Sequence, residues 1–278
     1  MIRNVFTVDL EDWCHSIYLQ KAAVSFSEAR VIRNTDALSS VLDQYGVRAT
    51  FFVLGQIAER IPELVRKLHH QGHEIASHGY GHQVLSTMQG QEVLNDIQTS
   101  CRILENVTGT PVKGYRAPAW SLPRERRVLI ESLSSCGIEY DSSCAAFSVP
   151  FVWRATGNTA DPFWLDSSQR IMEIPPTSVS LGLARVPVAG GAALRLYPYE
   201  VTRRLVAWCN SRGRAVVLYV HPWDLDVDFS PLPLPWPQRV FHYAGRHTVL
   251  QKLVRLMKEF SFCTMAEYFQ AARKKGLA

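Results

Sequence analysis

Strand-like and helix-like segments alternate along most of this chain, and that alternation limits the possible folds more than any other feature of the sequence. After an opening strand that begins at Val5, short apolar runs with β-branched residues predict six further strands, at 47–54, 73–77, 112–115, 138–140, 215–220 and 262–265. Between them, periodic segments predict helices at 62–71, 91–107, 124–136, 199–212, 247–260 and 266–274, and Asn34–Asp36 would cap another that reaches Tyr45.

This alternation predicts a parallel sheet joined by crossover helices. Because about seven such units follow one another, we expect a closed or nearly closed (β/α) barrel rather than an open sheet. Residues 145–198 break the pattern, so we interpret them as an irregular β-rich insertion within a single domain that covers residues 1–278. The segment 231–237 is rich in proline and predicts a rigid loop.

The opening strand ends abruptly in acidic residues, since Asp9, Glu11 and Asp12 follow the apolar run within four positions. An acidic, solvated turn would account for such a cluster on its own. However, carboxylates at the end of a buried strand are costly unless a cationic group lies beside them.

Four other reactive residues stand at or just past the ends of predicted strands. They are His78, Arg116, Asp141 and His221. In a (β/α) barrel the carboxyl ends of the strands meet at one mouth, where active sites form. We therefore expect these side chains to lie near Asp9.

His78 and His82 have the i, i+4 spacing that allows two imidazoles to bind one metal ion. The glutamate of a His-Glu-x-x-His peptidase motif is absent, and paired histidines also occur on solvated helices. With a carboxylate from the first strand, the pair would form a three-ligand site that leaves positions open for water and substrate.

Arg116 and His221 each allow a structural interpretation as well as a functional one. Arg116 could pair with a surface carboxylate, or it could hold Asp9 ionised and oriented. His221 follows a strongly apolar strand and could simply be a satisfied core histidine. Trp120 and Trp223, which follow these residues, are expected at the mouth of the barrel.

Composition narrows the functional class further. The formal net charge is +5, but the basic residues form no long run, so nucleic-acid binding gains little support. The six cysteines are scattered and no pair has Cys-x-x-Cys spacing, which is typical of reduced thiols. No signal peptide opens the sequence and no apolar run reaches membrane-spanning length, so we expect a cytoplasmic protein without stable membrane insertion.

The motifs together resemble the polysaccharide deacetylases, the NodB-homology carbohydrate esterases of family 4. Five stretches are similar to the family's motifs and occur in its order: 7–12, 77–82, 116–120, 140–143 and 218–221. Further stretches resemble the subgroup that is associated with bacterial exopolysaccharides: Gly190-Gly191 with Arg195-Leu196 and Pro198, 221–224, and 242 onward.

The resemblance implies a deformed (β/α)7-type barrel that removes acetyl groups from an N-acetylated sugar of a bacterial polysaccharide or glycan precursor. It implies a divalent metal, zinc first and cobalt or nickel as alternatives, with His78 and His82 as ligands. The implied partner is a carbohydrate substrate. The implied catalytic roles are Asp9 as general base, Arg116 as its orienting partner, the Ala119 N–H as oxyanion donor, His221 as general acid and Asp141 as the residue that tunes His221.

The sequence departs from the family in its first motif, where many members have two adjacent aspartates. Here Asp9 is followed by Leu10, Glu11 and Asp12, and either acidic residue could be the third metal ligand. If neither reaches the metal, the chain would resemble the metal-independent, allantoinase-like amidohydrolases. A third possibility is a catalytically silent barrel that binds a glycan.

Overall fold

The computed structural model describes residues 2–16, 19, 24–148, 155–168, 170–182, 184–230, 232 and 234–276. Its strands are β1 Arg3–Leu10, β2 Thr50–Val53, β3 Glu74–Ser77, β4 Gly114–Tyr115, β5 Tyr140–Asp141, β6 Phe163–Trp164, β7 Met172–Glu173, β8 Ser178–Leu181, β9 Ala184–Pro187, β10 Val217–Val220 and β11 Ser261–Cys263. Its helices are α1 Glu28–Gln44, α2 Gly55–Arg60, α3 Pro62–His70, α4 Gly90–Thr108, α5 Arg126–Ser135, α6 Gly191–Leu196, α7 Tyr199–Ser211, α8 Trp236–Tyr243, α9 Arg246–Glu259 and α10 Met265–Lys274.

The main sheet is built around β1, which pairs in parallel with β10 on one side and β2 on the other. The strand order is β10-β1-β2-β3-β4-β5-β7-β6, with β11 also paired to β1, and β6 is antiparallel to β7. In the main sheet, no strand of the described part of the chain joins the β7 side to β10. Instead, the Thr177 hydroxyl accepts a hydrogen bond from the Val217 N–H, and Gly190 forms a bridge with Tyr219. The deformed barrel that the alternation and the resemblance predict is confirmed.

The core lies on both sides of this curled sheet. Outside it, the helices bury apolar residues of the strands and of their own inner faces, among them Phe6, Phe51, Leu64 and Val249. Inside it, Val5, Phe52, Tyr140 and Met172 pack against Phe269 of α10. Each such fully buried apolar side chain contributes about 1.5–3 kcal/mol relative to an exposed one.

α10 closes the end of the barrel at which the parallel strands begin. The Glu74 carboxylate, at the start of β3, accepts hydrogen bonds from the Thr50 hydroxyl and from the Ala266 N–H in the first turn of α10. The Met265 N–H donates to Thr50 Oγ1. Since α10 fills this end, the opposite end, where the strands finish, is left for a cavity.

Two of the sequence-based boundaries are wrong. The first helix begins at Glu28 and not at Asn34–Asp36, because its buried face already includes Val31 and because the Ser27 hydroxyl caps it by accepting from the Arg30 N–H. The predicted loop 231–237 gives way to α8 at Trp236, since proline is tolerated in the first turn of a helix. Residues 231 and 233 of that segment lie outside the described residues.

The segment 145–198 contains β6 and β7 of the main sheet, the β8–β9 hairpin and α6. Residues 149–154, 169 and 183 of this segment lie outside the described residues. Its status as an insertion within one domain stays a prediction.

Candidate functional site

A cavity of about 110 Å³ opens where the parallel strands end, opposite α10. The register of β1 places Val8 level with Val220 of β10 and Asp9 level with Phe52 of β2, so the residues that follow these strands reach the same depth. The cavity is lined by Asp9, Glu11, Ser16, His78, His82, Ala117, Ala119, Trp120, Pro187, Gly191, Ala192, Ala193, Arg195, Tyr219, His221, Trp223 and His242. Most of the predicted site residues therefore converge here, while Asp12, Arg116 and Asp141 do not line the cavity.

Glu11, His78 and His82 form one buried cluster. Glu11 Oε1 lies 3.0 Å from His78 Nε2 and 3.0 Å from His82 Nε2. Burial alone would raise the pKa of Glu11, but the positive charge of His82 and the hydrogen bonds from both histidines hold it well below its usual value. His82 has a left-handed backbone (φ 55°), a strained conformation for a residue other than glycine that is common at functional sites.

The hydrogen bonds of His78 show that this cluster fits a cation. His78 Nδ1 lies 2.7 Å from the Arg116 carbonyl oxygen, which can only accept, so Nδ1 carries the proton. When the ring is neutral, its Nε2 lone pair then points at a carboxylate oxygen. Two imidazole nitrogens and one carboxylate oxygen within 4.8 Å of one another are a donor set that suits a divalent metal such as zinc. The hydrogen bond at Nδ1 is the kind of support that orients a metal-binding histidine.

Asp12 is not available as the third ligand. Its two carboxylate oxygens accept from Arg30 Nε and Nη2 at 2.7 Å each, and Oδ2 also accepts from the Ser27 N–H at 2.9 Å. Asp12 therefore anchors the start of α1, and Glu11 is the carboxylate that joins the two histidines. The alternation of side chains along an extended strand puts Glu11 on the same side as Asp9.

Asp9 is held by Arg116, as the sequence predicts. Asp9 Oδ1 accepts from Arg116 Nη1 at 2.6 Å, and the same nitrogen donates to Thr7 Oγ1 at 2.9 Å. The guanidinium is fully buried and lies over the Phe52 ring, 4.1 Å from its centroid. The second carboxylate oxygen of Asp9 lies 3.9 Å from His221 Nε2.

The turn after β4 contains two consecutive residues other than glycine with positive φ angles. Ala119 (φ 53°) and Trp120 (φ 47°) both adopt left-handed conformations, and the Ser143 hydroxyl supports the turn by accepting from the Ala117 N–H at 2.9 Å. The Trp120 and Ser121 N–H groups are used within the turn, whereas the N–H of Ala119 donates no backbone hydrogen bond among the described residues. An unused N–H beside the cavity can serve a developing oxyanion.

His221 has a different partner from the one that the resemblance implies. Its Nδ1 lies 3.0 Å from Asp224 Oδ2, and its backbone N–H donates to the same oxygen at 2.9 Å. Its ring stacks on Trp223, with centroids 4.3 Å apart. Burial alone would lower the pKa of His221, but the Asp224 hydrogen bond and the negative charges of Asp224, Glu11 and Asp9 raise it. The prediction that Asp141 is the partner of His221 is therefore corrected: the carboxylate beside the imidazole is Asp224.

Asp141 instead forms a buried acid pair with Glu173. Asp141 Oδ1 accepts from the Ser142 N–H at 2.8 Å and from the Ser143 hydroxyl. Burial, and next the negative charge of Glu173, raise the pKa of Asp141 well above its usual value. Burial also raises the pKa of Glu173, which lies level with Asp141 on the neighbouring strand, so two carboxyl groups that each disfavour ionisation lie together here. The connection of Asp141 to the cavity is indirect, through Ser143 and the turn at Ala117.

Sequence reasoning assigned no role to Asp224, which contacts His221, or to Arg195 and His242, which line the cavity. Asp224 lies three residues after His221, a spacing that could have identified it, since it lets the carboxylate reach back to the imidazole. Arg195 and His242 come from distant elements, and only the resemblance to a subgroup marked them. The His242 ring lies at the cavity, where burial and then the charge of Arg195 lower its pKa to about 3.

Comparison with known proteins gives two adjoining family matches. The profile for polysaccharide deacetylases matches residues 21–140, a stretch that contains His78, His82 and Arg116. The chain contains a polysaccharide deacetylase domain. The profile described as a "Domain of unknown function (DUF3473)" matches residues 142–270, which contain His221 and Asp224.

Relatives of the deacetylase domain agree with this assignment. The chain is 33% identical over 98 residues to a peptidoglycan-N-acetylglucosamine deacetylase of Bacillus cereus, a match that covers 35% of this chain and 36% of the relative. The chain thus spans little more than a third of that relative's length.

Solved structures show the same fold. A crystal structure from Mycobacterium smegmatis assigned to the polysaccharide deacetylases superposes with a TM-score of 0.68 at 21% identity and covers 99% of this chain and 91% of its own. A CE4 family pseudoenzyme from Bacillus anthracis superposes with a TM-score of 0.53 at 12% identity, covering 96% of this chain and 65% of its own. The fold therefore does not by itself establish activity, which depends on the site residues.

Proposed function

We propose that this chain is a metal-dependent hydrolase that removes N-acetyl groups from an N-acetylated sugar of a bacterial polysaccharide or glycan precursor. The observation that carries the proposal is the arrangement of Asp9 and His221, whose reactive atoms lie 3.9 Å apart beside the cluster of Glu11, His78 and His82. A base, an acid and a metal donor set thus meet in one cavity. The deacetylase domain and its similarity to a peptidoglycan-N-acetylglucosamine deacetylase support the substrate class.

A divalent metal held by Glu11, His78 and His82, zinc in the first place, would polarise the amide carbonyl and lower the pKa of a water molecule. Asp9, kept in place by Arg116, accepts the proton of the attacking water on the oxygen that Arg116 does not bind. The Ala119 N–H donates to the oxyanion that develops as the amide carbon becomes tetrahedral.

His221 completes the reaction as general acid. With Asp224 bound at Nδ1, the protonated imidazole presents its Nε2–H toward the cavity. Transfer of this proton to the departing nitrogen makes the amine a viable leaving group, and the products are a free amino sugar and acetate. His221 and Asp9 thus divide the acid and base roles between them.

The experiment is acetate release from a panel of N-acetylated monosaccharides, oligosaccharides and exopolysaccharide fragments, using protein loaded with zinc, cobalt or nickel. Asp9→Asn keeps the shape of the side chain but cannot accept the proton, so we expect metal content to stay at the wild-type level while kcat falls about 10²–10⁴-fold. A wild-type rate in Asp9→Asn would remove Asp9 as the base.

Two other functions predict different results. A metal-independent amidohydrolase would keep its full rate after chelation and dialysis. A silent glycan-binding barrel would release no acetate from any member of the panel while still binding a glycan in calorimetry. The observation that favours the silent barrel as an alternative is that a pseudoenzyme has the same fold.

A further inference from the structure

A buried ion pair lies beside His221, on the Nδ1 side of its ring. Asp224 Oδ2 binds the imidazole, and the other carboxylate oxygen of Asp224, Oδ1, accepts from Arg195 Nη1. Asp224 is 1% exposed and Arg195 is 4% exposed. The Arg195 guanidinium also lies 5.5 Å from the centre of the Trp223 ring, which itself stacks on His221. Arg195, Asp224 and Trp223 therefore fix the position of the imidazole together.

Arg195 comes from the short helix α6, and several contacts fix that helix in place. Gly190 and Gly191 have positive φ angles and approach Tyr219 of β10 so closely that an added Cβ would lie 2.4 Å and 2.8 Å from its ring. At the other end of α6, the buried Lys252 ammonium donates to the carbonyl oxygens of Leu194, Arg195 and Tyr197 at 2.8–2.9 Å.

A third contact comes from the turn before α9. A Cβ at Gly245 (φ 78°) would lie 2.2 Å from the carbonyl oxygen of Arg195, so only glycine fits there. A buried lysine and three glycines with no room for a side chain thus determine where one six-residue helix lies. This arrangement places the Arg195 side chain against Asp224.

We propose that the catalytic contribution of residues 142–270, a region of unassigned function, is an acid arm in which Arg195 and Asp224 act as positioning residues for His221. The proposal rests on the role of His221 as general acid given above. In this arm, Asp224 keeps the proton of the neutral imidazole on Nδ1 and orients Nε2 toward Asp9. Arg195 keeps Asp224 in the orientation that binds His221.

The variant Asp224→Asn tests the arm because an amide cannot satisfy both partners. If the amide oxygen faces His221, the NH₂ group faces the Arg195 guanidinium, and two donors oppose each other. If the oxygen faces Arg195, the NH₂ group faces Nδ1 and the backbone N–H of His221, which are both donors when Nδ1 is protonated. In either orientation the side chain at position 224 keeps its size. The His221 imidazole, however, loses either its fixed tautomer or the contact between its partner and Arg195.

The matched control is Asp226→Asn, a buried aspartate two residues away in the same turn. Asp226 binds Trp13 Nε1 and Arg33, which are not partners of His221. Circular dichroism and thermal melting establish that each variant is folded, and elemental analysis measures its metal content. A second pair, Arg195→Lys and Arg195→Gln, covers the case in which Asp224→Asn does not fold.

We expect kcat to fall at least about tenfold in Asp224→Asn, a part of the roughly 10²–10⁴-fold that general acid catalysis contributes, with KM changed less than about threefold and metal content unchanged. Asp226→Asn should keep kcat within about twofold of wild type. For Arg195 we expect kcat in the order wild type, Lys, Gln, since lysine retains the charge but not the fork of donors. An equal loss in Asp224→Asn and Asp226→Asn, or a loss confined to KM, would overturn the proposal.

Proton–nitrogen NMR of the imidazoles separates this proposal from the proposed function. The wild-type protein should show a hydrogen-bonded Nδ1–H signal that His221→Gln removes and that Asp224→Asn shifts or removes, whether or not acetate is released. If that signal is the same in Asp224→Asn as in wild type, the acid arm is wrong. If the signal behaves as expected but wild-type protein releases no acetate from any substrate, the arm stands and the proposed activity fails.

Discussion

At the scale of single residues, Glu11 and Asp12 are adjacent carboxylates with different partners. Glu11 faces His78 and His82 in the cavity, whereas Asp12 is bound on both oxygens by Arg30. The partners of each carboxylate thus depend on the side of the chain to which its side chain points at the end of β1.

This difference gives the first prediction. Glu11→Gln should lose stoichiometric zinc because an amide oxygen is a much weaker zinc ligand than a carboxylate, whereas Asp12→Asn should keep it. Asp12→Asn should instead lower the free energy of unfolding by about 1–3 kcal/mol, since it weakens the charge-assisted hydrogen bonds to Arg30. Elemental analysis and urea unfolding of the two variants check this. Zinc lost from Asp12→Asn and kept by Glu11→Gln would reverse the assignment.

The second residue-scale prediction concerns pH. The raised pKa of His221 keeps the imidazole protonated to higher pH, so the alkaline limb of the kcat/KM profile should report its deprotonation. Without the negative charge of Asp224 the imidazolium is less stable, so the pKa of His221 falls. We expect the alkaline limb of Asp224→Asn to move to lower pH, measured as acetate release across a pH series.

Asp141→Asn is the control for that shift. Asp141 Oδ1 accepts from the Ser142 N–H and the Ser143 hydroxyl, and the amide oxygen of an asparagine can accept the same two hydrogen bonds. The alkaline limb should stay where it is in wild type. A shift in Asp141→Asn with none in Asp224→Asn would restore the role that the resemblance implied for Asp141.

At the scale of elements, α6 depends on a partner from another helix. The last carbonyl groups of a helix lack partners within it, and here Lys252 of α9 supplies three hydrogen bonds to the end of α6. Burial lowers the pKa of Lys252, and the surrounding carbonyl oxygens are the acceptors that its ammonium requires.

Replacing this ammonium gives the third prediction. Lys252→Met keeps the length of the side chain but leaves three carbonyl groups without their donor, so we expect a loss of about 1–3 kcal/mol in the free energy of unfolding. Lys258→Met, at an exposed position of the same helix, should change it by less than about 0.5 kcal/mol. Urea denaturation of both variants measures the difference, and equal effects would show that the contacts to α6 contribute nothing specific.

At the scale of the whole molecule, the two matched regions share one sheet. β1, which carries Asp9, pairs with β2 of the deacetylase region and with β10 and β11 of the region that follows it. The interior core is likewise shared, since Val5, Phe52, Val217 and Phe269 belong to one cluster. No helix in the described part of the chain is long and apolar enough to cross a membrane.

The shared sheet and core give the fourth prediction. The two regions should unfold together, because they share one sheet through β1 and one interior core. Circular dichroism and tryptophan fluorescence should report one coincident urea transition, and a fragment of residues 1–141 should lack a cooperative transition. Two separate transitions, or a fragment that unfolds cooperatively, would show that the single-domain prediction is wrong.

The sequence by itself determined the alternation of strands and helices, a closed or nearly closed (β/α) barrel, and the positions of Asp9, His78, Arg116 and His221 at strand ends. These depend on local patterns and on a general rule, that parallel strands in a barrel finish at one mouth.

Only the tertiary structure decided which carboxylate serves which partner. Glu11 rather than Asp12 faces the histidines, and Asp224 rather than Asp141 supports His221. Such choices depend on directions and distances between elements far apart in the chain, as when α6 brings Arg195 to Asp224. Residue type and spacing limit which groups can interact, but the free energy of burying a charge is settled by the neighbours that packing places around it.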